Sequence, residues 1–211
     1  MDKKDVTEAL QKLKSSPKRK FSQSIDLIIT FKNVDLKKTP VDTQANLQYG
    51  TGRKIKVCGL VGPELQEEAK KVFDFTVSTV DFDKMDKKAV KKLAKKYDFF
   101  VAQSNIMPKI AQVFGRVLGP RQKMPNPKLG CVIAAPQAIK PLYENLQKMV
   151  RIVAKTTPHF QCKVGVEGQN EEEVIDNIIN VYTQLMHSLP QEEQNIRSVA
   201  VKLTMGAPVK L

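Results

Sequence analysis

The residues with the most varied chemistry in this chain are three cysteines and two histidines, and their spacing offers little. Cys58, Cys131 and Cys162 stand singly in apolar stretches. An odd number of isolated thiols does not build a disulfide framework and fits a reducing compartment. No cysteine pair has ligand spacing, and His159 and His187 lie far apart, so no metal site is expected. His159, beside Phe160, reads as structural rather than as a base. A dinucleotide site needs a glycine-rich turn between a strand and its helix, and the segment Cys58-Gly-Leu-Val-Gly-Pro63 lacks the three-glycine spacing. Neither a P-loop nor a Gly-x-Ser-x-Gly elbow occurs. Neither catalysis nor a cofactor is expected, although an α/β pattern keeps a small-ligand enzyme as one alternative.

What the residues can do is bind anions. The 211-residue chain carries 35 Lys plus Arg against 22 Asp plus Glu, a formal charge of +13. Nucleic acid is the commonest partner for such an excess. A membrane is not expected as a partner. No apolar run approaches the ~20 residues that span a bilayer, and there is no basic amphipathic helix with exposed Trp or Phe. The N-terminal stretch MDKKDVTEALQK is charged and lacks the apolar core of a secretory signal. The charge is uneven. Residues 53–150 hold 19 Lys plus Arg and 9 Asp plus Glu, a net of +10, and residues 99–143 contain no acid. Charge alone therefore places nucleic acid on this middle segment. The Lys84–Lys96 run fits either a solvated helix face or a contact. Arg116, Arg121, Lys123 and Lys128, set among Gly and Pro, form a candidate basic surface.

Two segments have unusual composition. Gly115-Arg-Val-Leu-Gly-Pro-Arg-Gln-Lys-Met-Pro-Asn-Pro127 fits a rigid connector or an anion contact, and composition does not separate these. Leu203-Thr-Met-Gly-Ala-Pro208 fits a strand exit, with Gly at a positive φ and Pro ending the pairing. It equally fits a close approach to RNA, where a hydroxyl, an adaptable thioether and a bare glycine would meet ribose and phosphate.

These segments must be positioned by elements legible in the periodicity. Residues 3–14 predict a helix with Val6, Leu10 and Leu13 on one stripe. Ile25, Leu27, Ile29 and Phe31 alternate with polar residues as a half-buried strand. Residues 37–52 suit a loop, an edge strand and a hinge. From Arg53 the pattern turns β-α-β-α-β-α: strands over 54–60, 75–80 and 98–102, and helices over 63–72, 87–97 and 107–114, the last ending at Gly115. A short strand at 131–134 and a helix over 136–150 follow. Phe160, Cys162, Val164 and Val166 alternate again, and Asn170 with Glu173 marks a capping box. The helix it opens carries Val174, Ile178, Val181, Leu185 and Leu189, and a last strand buries Val199, Val201 and Leu203. The terminal strands are one-sided and need a shared helix layer. The expected fold is therefore two domains. Residues 1–52 plus 151–211 form a split α+β sandwich, and residues 53–150 form an inserted Rossmann-like α/β domain. Gly50, Gly52 and Arg53 on one crossing, with Val150 and Arg151 on the other, make the expected hinge.

Three ordered motifs carry a family resemblance: Phe21-Ser-Gln-Ser-Ile-Asp26, the Gly-Arg/Pro-Arg segment 115–127, and Lys202-Leu-Thr-Met-Gly206. Together they resemble the L1 family of large-subunit ribosomal proteins across essentially the whole chain. Leu-Gly-Pro-Arg-x-Lys-Met-Pro-x-Pro at 118–127 is closest to the archaeal branch, with Lys-Met where bacterial members usually have a Gly-Leu-Leu-like run. The resemblance implies a cytoplasmic constituent of the large subunit that binds rRNA at the mobile stalk near the tRNA exit site. It also implies assistance to the release of deacylated tRNA, and repression of the protein's own mRNA through a mimic of the rRNA site. Partners so implied are stalk rRNA, exit-site tRNA and that mRNA; a monomer is expected when free. The principal RNA surface implied is the interrupted terminal domain, against the charge argument. Carried onto matching positions, its residues are Lys20, Phe21, Gln23, Ser24 and Asp26 at the first strand. Gln161, Lys163 and Gly165 follow, then Ser198, Lys202, Thr204, Met205 and Gly206. A non-ribosomal RNA-binding repressor or chaperone is the alternative.

Overall fold

The computed structural model describes residues 2–15, 17, 19–34, 36, 41–133, 135–154 and 157–211. The chain divides into two compact units, residues 1–53 with 148–211, and residues 54–147. The crossings fall at 53/54 and 147/148, one and three residues from the boundaries expected on the two sides.

In the first unit, helix α1 (Lys3–Lys14) buries Val6, Ala9, Leu10 and Leu13, the i, i+3, i+4, i+7 stripe of an amphipathic helix. Strand β1 (Ser24–Phe31) alternates half-buried and buried residues along its whole length. Strand β2 (Val41–Asn46) pairs antiparallel with a later strand, Met149–Ala154. After the inserted unit come strand His159–Val166, helix Glu171–Ser188, strand Ile196–Leu203 and the short strand Val209–Lys210. With the four strands of the insert counted, these are β7 (149–154), β8 (159–166), β9 (196–203) and β10 (209–210); the helix is α6. The main sheet has the order β10-β9-β1-β8, antiparallel throughout. Helices α1 and α6 share one continuous apolar core with its inner face, around Leu27, Ile29, Val164, Ile178, Val181 and Val201. Asn177, fully buried on α6, donates Nδ2 to Val164 O (3.0 Å) and accepts the Tyr49 N–H (3.3 Å), so one amide joins three segments.

In the second unit, strands β3 (Val57–Val61), β4 (Phe75–Ser78), β5 (Phe99–Gln103) and β6 (Val132–Ile133) form a parallel sheet in the order β4-β3-β5-β6. All five residues of β3 are buried, as a strand covered on both faces requires. Helices α2 (Gln66–Val72), α3 (Lys87–Lys96), α4 (Met107–Leu118) and α5 (Ile139–Lys148) alternate with the strands.

Several expectations are corrected. Helix α4 runs through Gly115 to Leu118, because Phe114, Val117 and Leu118 bury one stripe that outweighs the ~1 kcal/mol cost of an interior glycine. Met149 and Val150 belong to β7 rather than to the preceding helix. Val150 and Arg151 pair with Ala45 and Gln44, and Arg151 forks onto the Asp42 carboxylate (3.0 Å to each oxygen), so both lie within the ladder of the first unit. Asn170 caps α6 by accepting the Glu172 N–H, but Glu173 takes a bond from the Gln169 side chain (2.9 Å) instead of closing the box. Pro208 does not end the pairing, since Val209 and Lys210 return opposite Val201 and Ala200. Lys37–Pro40 and Ala134, which fall in an expected loop and strand, lie outside the described residues.

The two glycines expected at the hinge are also held. Gly50 O accepts from Gln169 Nε2 (3.0 Å), and Gly52 has φ +68° with its missing Cβ only 2.4 Å from Val166 Cγ2. Gly52→Ala should therefore cost about 2–4 kcal/mol, combining a left-handed backbone with overpacking. Urea unfolding checks the value. Adding Val166→Ala should give a double variant more stable than the sum of the single changes, because it removes the colliding methyl.

Candidate nucleic-acid interface

Antiparallel pairing of β1 with β9 sets Ile25 opposite Leu203, so the residues just beyond, Ser24 and Thr204, meet at one end of the sheet. Thr204 N–H donates to Ser24 O (3.1 Å) and Ser24 N–H donates to Thr204 Oγ1 (3.1 Å). The two hydroxyls lie 2.9 Å apart, and Ser24 Oγ lies 3.1 Å from Asp26 Oδ1. A carboxylate only accepts, so the Ser24 hydroxyl donates to Asp26, and the Thr204 hydroxyl has two acceptors on Ser24 within reach, Oγ (2.9 Å) and the carbonyl oxygen (3.4 Å). The relay leaves lone pairs, not protons, facing outward. This end of the sheet is an acceptor site, suited to ribose hydroxyls and base N–H groups rather than to phosphate.

Gln23 is 2% exposed and therefore not a contact residue. Its backbone exchanges bonds with Glu167, accepting the Glu167 N–H (2.9 Å) and donating to Glu167 Oε2 (3.3 Å). Its side-chain Oε1 accepts the Met205 N–H (3.1 Å). Gly206 N–H closes the turn onto Leu203 O (2.9 Å). Gly206 does not have a positive φ; its bareness matters because an added Cβ would lie 3.1 Å from Leu203 Cβ. The turn is thus clamped from beneath while Thr204 and Met205 are exposed, Met205 by 63%. Gly165 is likewise internal: a Cβ there would lie 2.9 Å from Val174 Cγ2, so it is a packing glycine under α6.

The sheet face away from the helices forms three cross-strand rows. Lys202, Asp26 and Lys163 make the first, Ala200, Ile28 and Gln161 the second, and Ser198, Thr30 and His159 the third. All nine are half-buried or exposed. In the first row one carboxylate lies between two ammonium groups, with no direct ion pair closed among them. Partial burial, and then the neighbouring Arg53, push the Lys163 pKa below its usual value, partly offset by Asp26. An anion beside Lys163 would favour its charged form and so oppose that shift. Of the predicted face residues, Asp26, Gln161, Lys163, Ser198 and Lys202 are brought together here. Ile28, Ala200, Thr30 and His159 complete the face; strand alternation from Asp26 was the signal available for them. Beside the turn between β8 and α6, Lys20 and the half-exposed Phe21 (52%) line a groove of about 690 Å³ with Lys14, Arg19 and Glu167.

The insert's predicted basic residues do not act alike. Lys123 donates to Ala94 O (3.0 Å) and Tyr97 O (2.7 Å), capping the C-terminus of α3, so its charge holds the fold. Arg116, Arg121 and Lys128 are exposed. At the carboxyl ends of β3 and β5, where a doubly wound sheet would bind a ligand, the Gln103 amide oxygen accepts the Gly62 N–H (2.9 Å). Burial pushes the Cys58 and Cys162 thiols up to about 12, so neither supplies a thiolate.

An antiparallel sheet built from both ends of the chain, with lysines and acceptors on one face, defines a split-domain protein carrying an α/β insert. Residues 12–207 match the family model described as "Ribosomal protein L1p/L10e family", and the chain belongs to that family. It is 38% identical over 96% of its length to the large ribosomal subunit protein uL1 of Nanoarchaeum equitans, covering 97% of that protein. It is 35% identical to uL1 of Pyrococcus horikoshii, covering all of this chain and 96% of that one, and 37% identical to uL1 of Methanocella arvoryzae over the whole of both.

Because Thr204 both donates and accepts inside the protein, Thr204→Val should lower stability by about 1–2 kcal/mol, stranding the Ser24 N–H. Thr204→Ser should retain most of it. Thermal unfolding of the two variants checks the expectation; equal stability of Thr204→Val and wild type would remove the relay.

Proposed function

We propose that this chain is a cytoplasmic structural constituent of the large ribosomal subunit, bound to rRNA at the mobile stalk near the tRNA exit site through its open sheet face and the 204–206 turn. The observation that carries this reading is the Lys202–Asp26–Lys163 row ending in the Ser24–Thr204 relay. Two lysines take phosphates, the carboxylate and hydroxyls take ribose 2′-hydroxyls, and the flat Ala200–Ile28 centre lets a backbone lie close. Such a face reads the shape and sugar of RNA with little net charge, as recognition of folded RNA requires. Phe21 stacks or packs at the edge. Family membership and the names of the relatives support the ribosomal setting.

On this reading the protein follows and assists departing deacylated tRNA from the exit site, and it represses its own mRNA where a segment imitates the stalk site. Both are binding functions. The chain acts without catalysis or cofactor and is a monomer when free.

Binding of a stalk-rRNA fragment tests this. Lys202→Gln should weaken it about tenfold to hundredfold, the cost of one charge-assisted bond. The slope of log affinity against log salt should be shallow, about −2 to −4, because the contact cations assigned to the site are few, namely Lys20, Lys163 and Lys202. A slope beyond about −7 would move the principal site to the basic insert. Failure to sediment with large subunits at moderate salt would favour a non-ribosomal repressor or chaperone.

A further inference from the structure

The fold hides nearly all of the sulfur in its described residues. Cys58 and Cys131 are buried, and Cys131 donates its S–H to Leu129 O (3.6 Å). Cys162 is packed against the core of the first unit. Burial that keeps Cys58 and Cys162 protonated also keeps them poor nucleophiles. The methionines follow the same pattern. Met149 is buried, and Met85, Met107, Met124 and Met186 are half-buried against the two apolar cores. Among the described residues, Met205 is the one exposed sulfur, 63% open to solvent.

The backbone enforces that exposure. The N–H groups of Thr204, Met205 and Gly206 are all bonded, to Ser24 O (3.1 Å), Gln23 Oε1 (3.1 Å) and Leu203 O (2.9 Å). With three successive amides held, the turn has no slack to tuck its middle residue into the core, and the space beneath it is taken by the buried Gln23 side chain. A thioether carries no acidic proton and needs no activating base. Exposed, it is a side chain that peroxides convert to a sulfoxide. The conversion replaces an adaptable apolar tip by a polar, hydrated and chiral one. It would do so on a turn whose neighbours, Ser24 and Thr204, already present lone pairs outward.

We propose that Met205 is an oxidative modification site of the RNA-free chain: a peroxide converts its thioether to the sulfoxide, the sulfoxide weakens RNA binding at the 204–206 turn, and bound RNA shields the sulfur. In the step, a sulfur lone pair takes one oxygen of hydrogen peroxide as the O–O bond breaks. Sulfur gives up two electrons, and the second oxygen leaves with both hydrogens as water. A dithiol-dependent sulfoxide reductase reverses the change, yielding a disulfide and water. Binding falls because the new oxygen must be stripped of water where the RNA lies close to the turn, beside acceptors that offer it no proton. The proposal rests on the reading that this turn touches RNA, and it adds regulation to that site. Only the free pool of protein is sensitive, so oxidation and RNA binding exclude each other.

The test treats the free chain with dilute hydrogen peroxide and maps oxygen gain by peptide mass spectrometry. Met205 should oxidise about tenfold faster than Met85, Met107, Met124, Met149 and Met186, following exposure. A saturating stalk-rRNA fragment should slow Met205 alone. The oxidised chain should keep its thermal unfolding midpoint and bind the fragment about tenfold more weakly, as burial of an unpaired polar group requires. Methionine sulfoxide reductase with dithiothreitol should restore binding. In Met205→Leu, whatever its starting affinity, the same peroxide treatment should leave that affinity unmoved. Oxidation of Met205 no faster than of the half-buried methionines would overturn the proposal, as would a peroxide-induced loss that persists in Met205→Leu or a Met205 that the fragment does not protect. The two readings separate cleanly. A chain that binds the fragment equally before and after oxidation sinks the switch alone, whereas a chain that does not bind it before oxidation sinks the proposed function and the switch together.

Discussion

Insertion of β1 between β8 and β9 is the constraint on which the first unit depends. A strand from the first 31 residues is the central partner of two strands that begin after residue 158. Without it, β8 and β9 have no shared ladder, and α1 and α6 have no continuous surface to cover. Its alternation sends Leu27 and Ile29 into the core and Asp26, Ile28 and Thr30 to the open face. A one-residue slip would exchange the two sets, so the core and the candidate interface are specified by one register. The insert can then interrupt the chain where β2 and β7 already bring its two crossings together as an antiparallel pair.

That same pairing explains why several polar residues of the 20–26 and 202–206 segments face inward or bond one another. The ends of β1 and β9 lie where the sheet stops, and their backbone groups need partners that the ladder no longer supplies. Gln23, Ser24 and Thr204 provide them. The resulting turn is held at several backbone groups, so little ordering would remain for a binding partner to offset.

The insert is organised differently. Its sheet is parallel with a fully buried strand β3, Gln103 ties the ends of β3 and β5 together, and its cations are spread over helix and connector exteriors. On the reading proposed above, charge and recognition are thus separated between units. Bulk positive charge attracts polyanions at long range and is screened by salt, whereas fixed acceptors and two placed lysines act only at contact.

Element identity was legible in sequence because it is local. The stripes of α1 and α6, the alternation of β1, β8 and β9, and the change of style at residue 53 are all periodicities within a few turns of chain. The polar face of Asp26, Gln161, Lys163, Ser198 and Lys202 could be read from the same alternation, and the family motifs pointed to its end. What stayed hidden depended on partners distant in sequence. Gln23 and Gly165 are internal because Met205, Glu167 and Val174 meet them. Lys123 is a strut because the end of α3 presents two bare carbonyls to it, and Gly50 and Gly52 are pinned because Gln169 and Val166 lie against them. Which charges face solvent and which hold the fold is not a property of a residue or its neighbours in sequence. It is set by which backbone groups are left unpaired where elements end, and only the packed chain determines that.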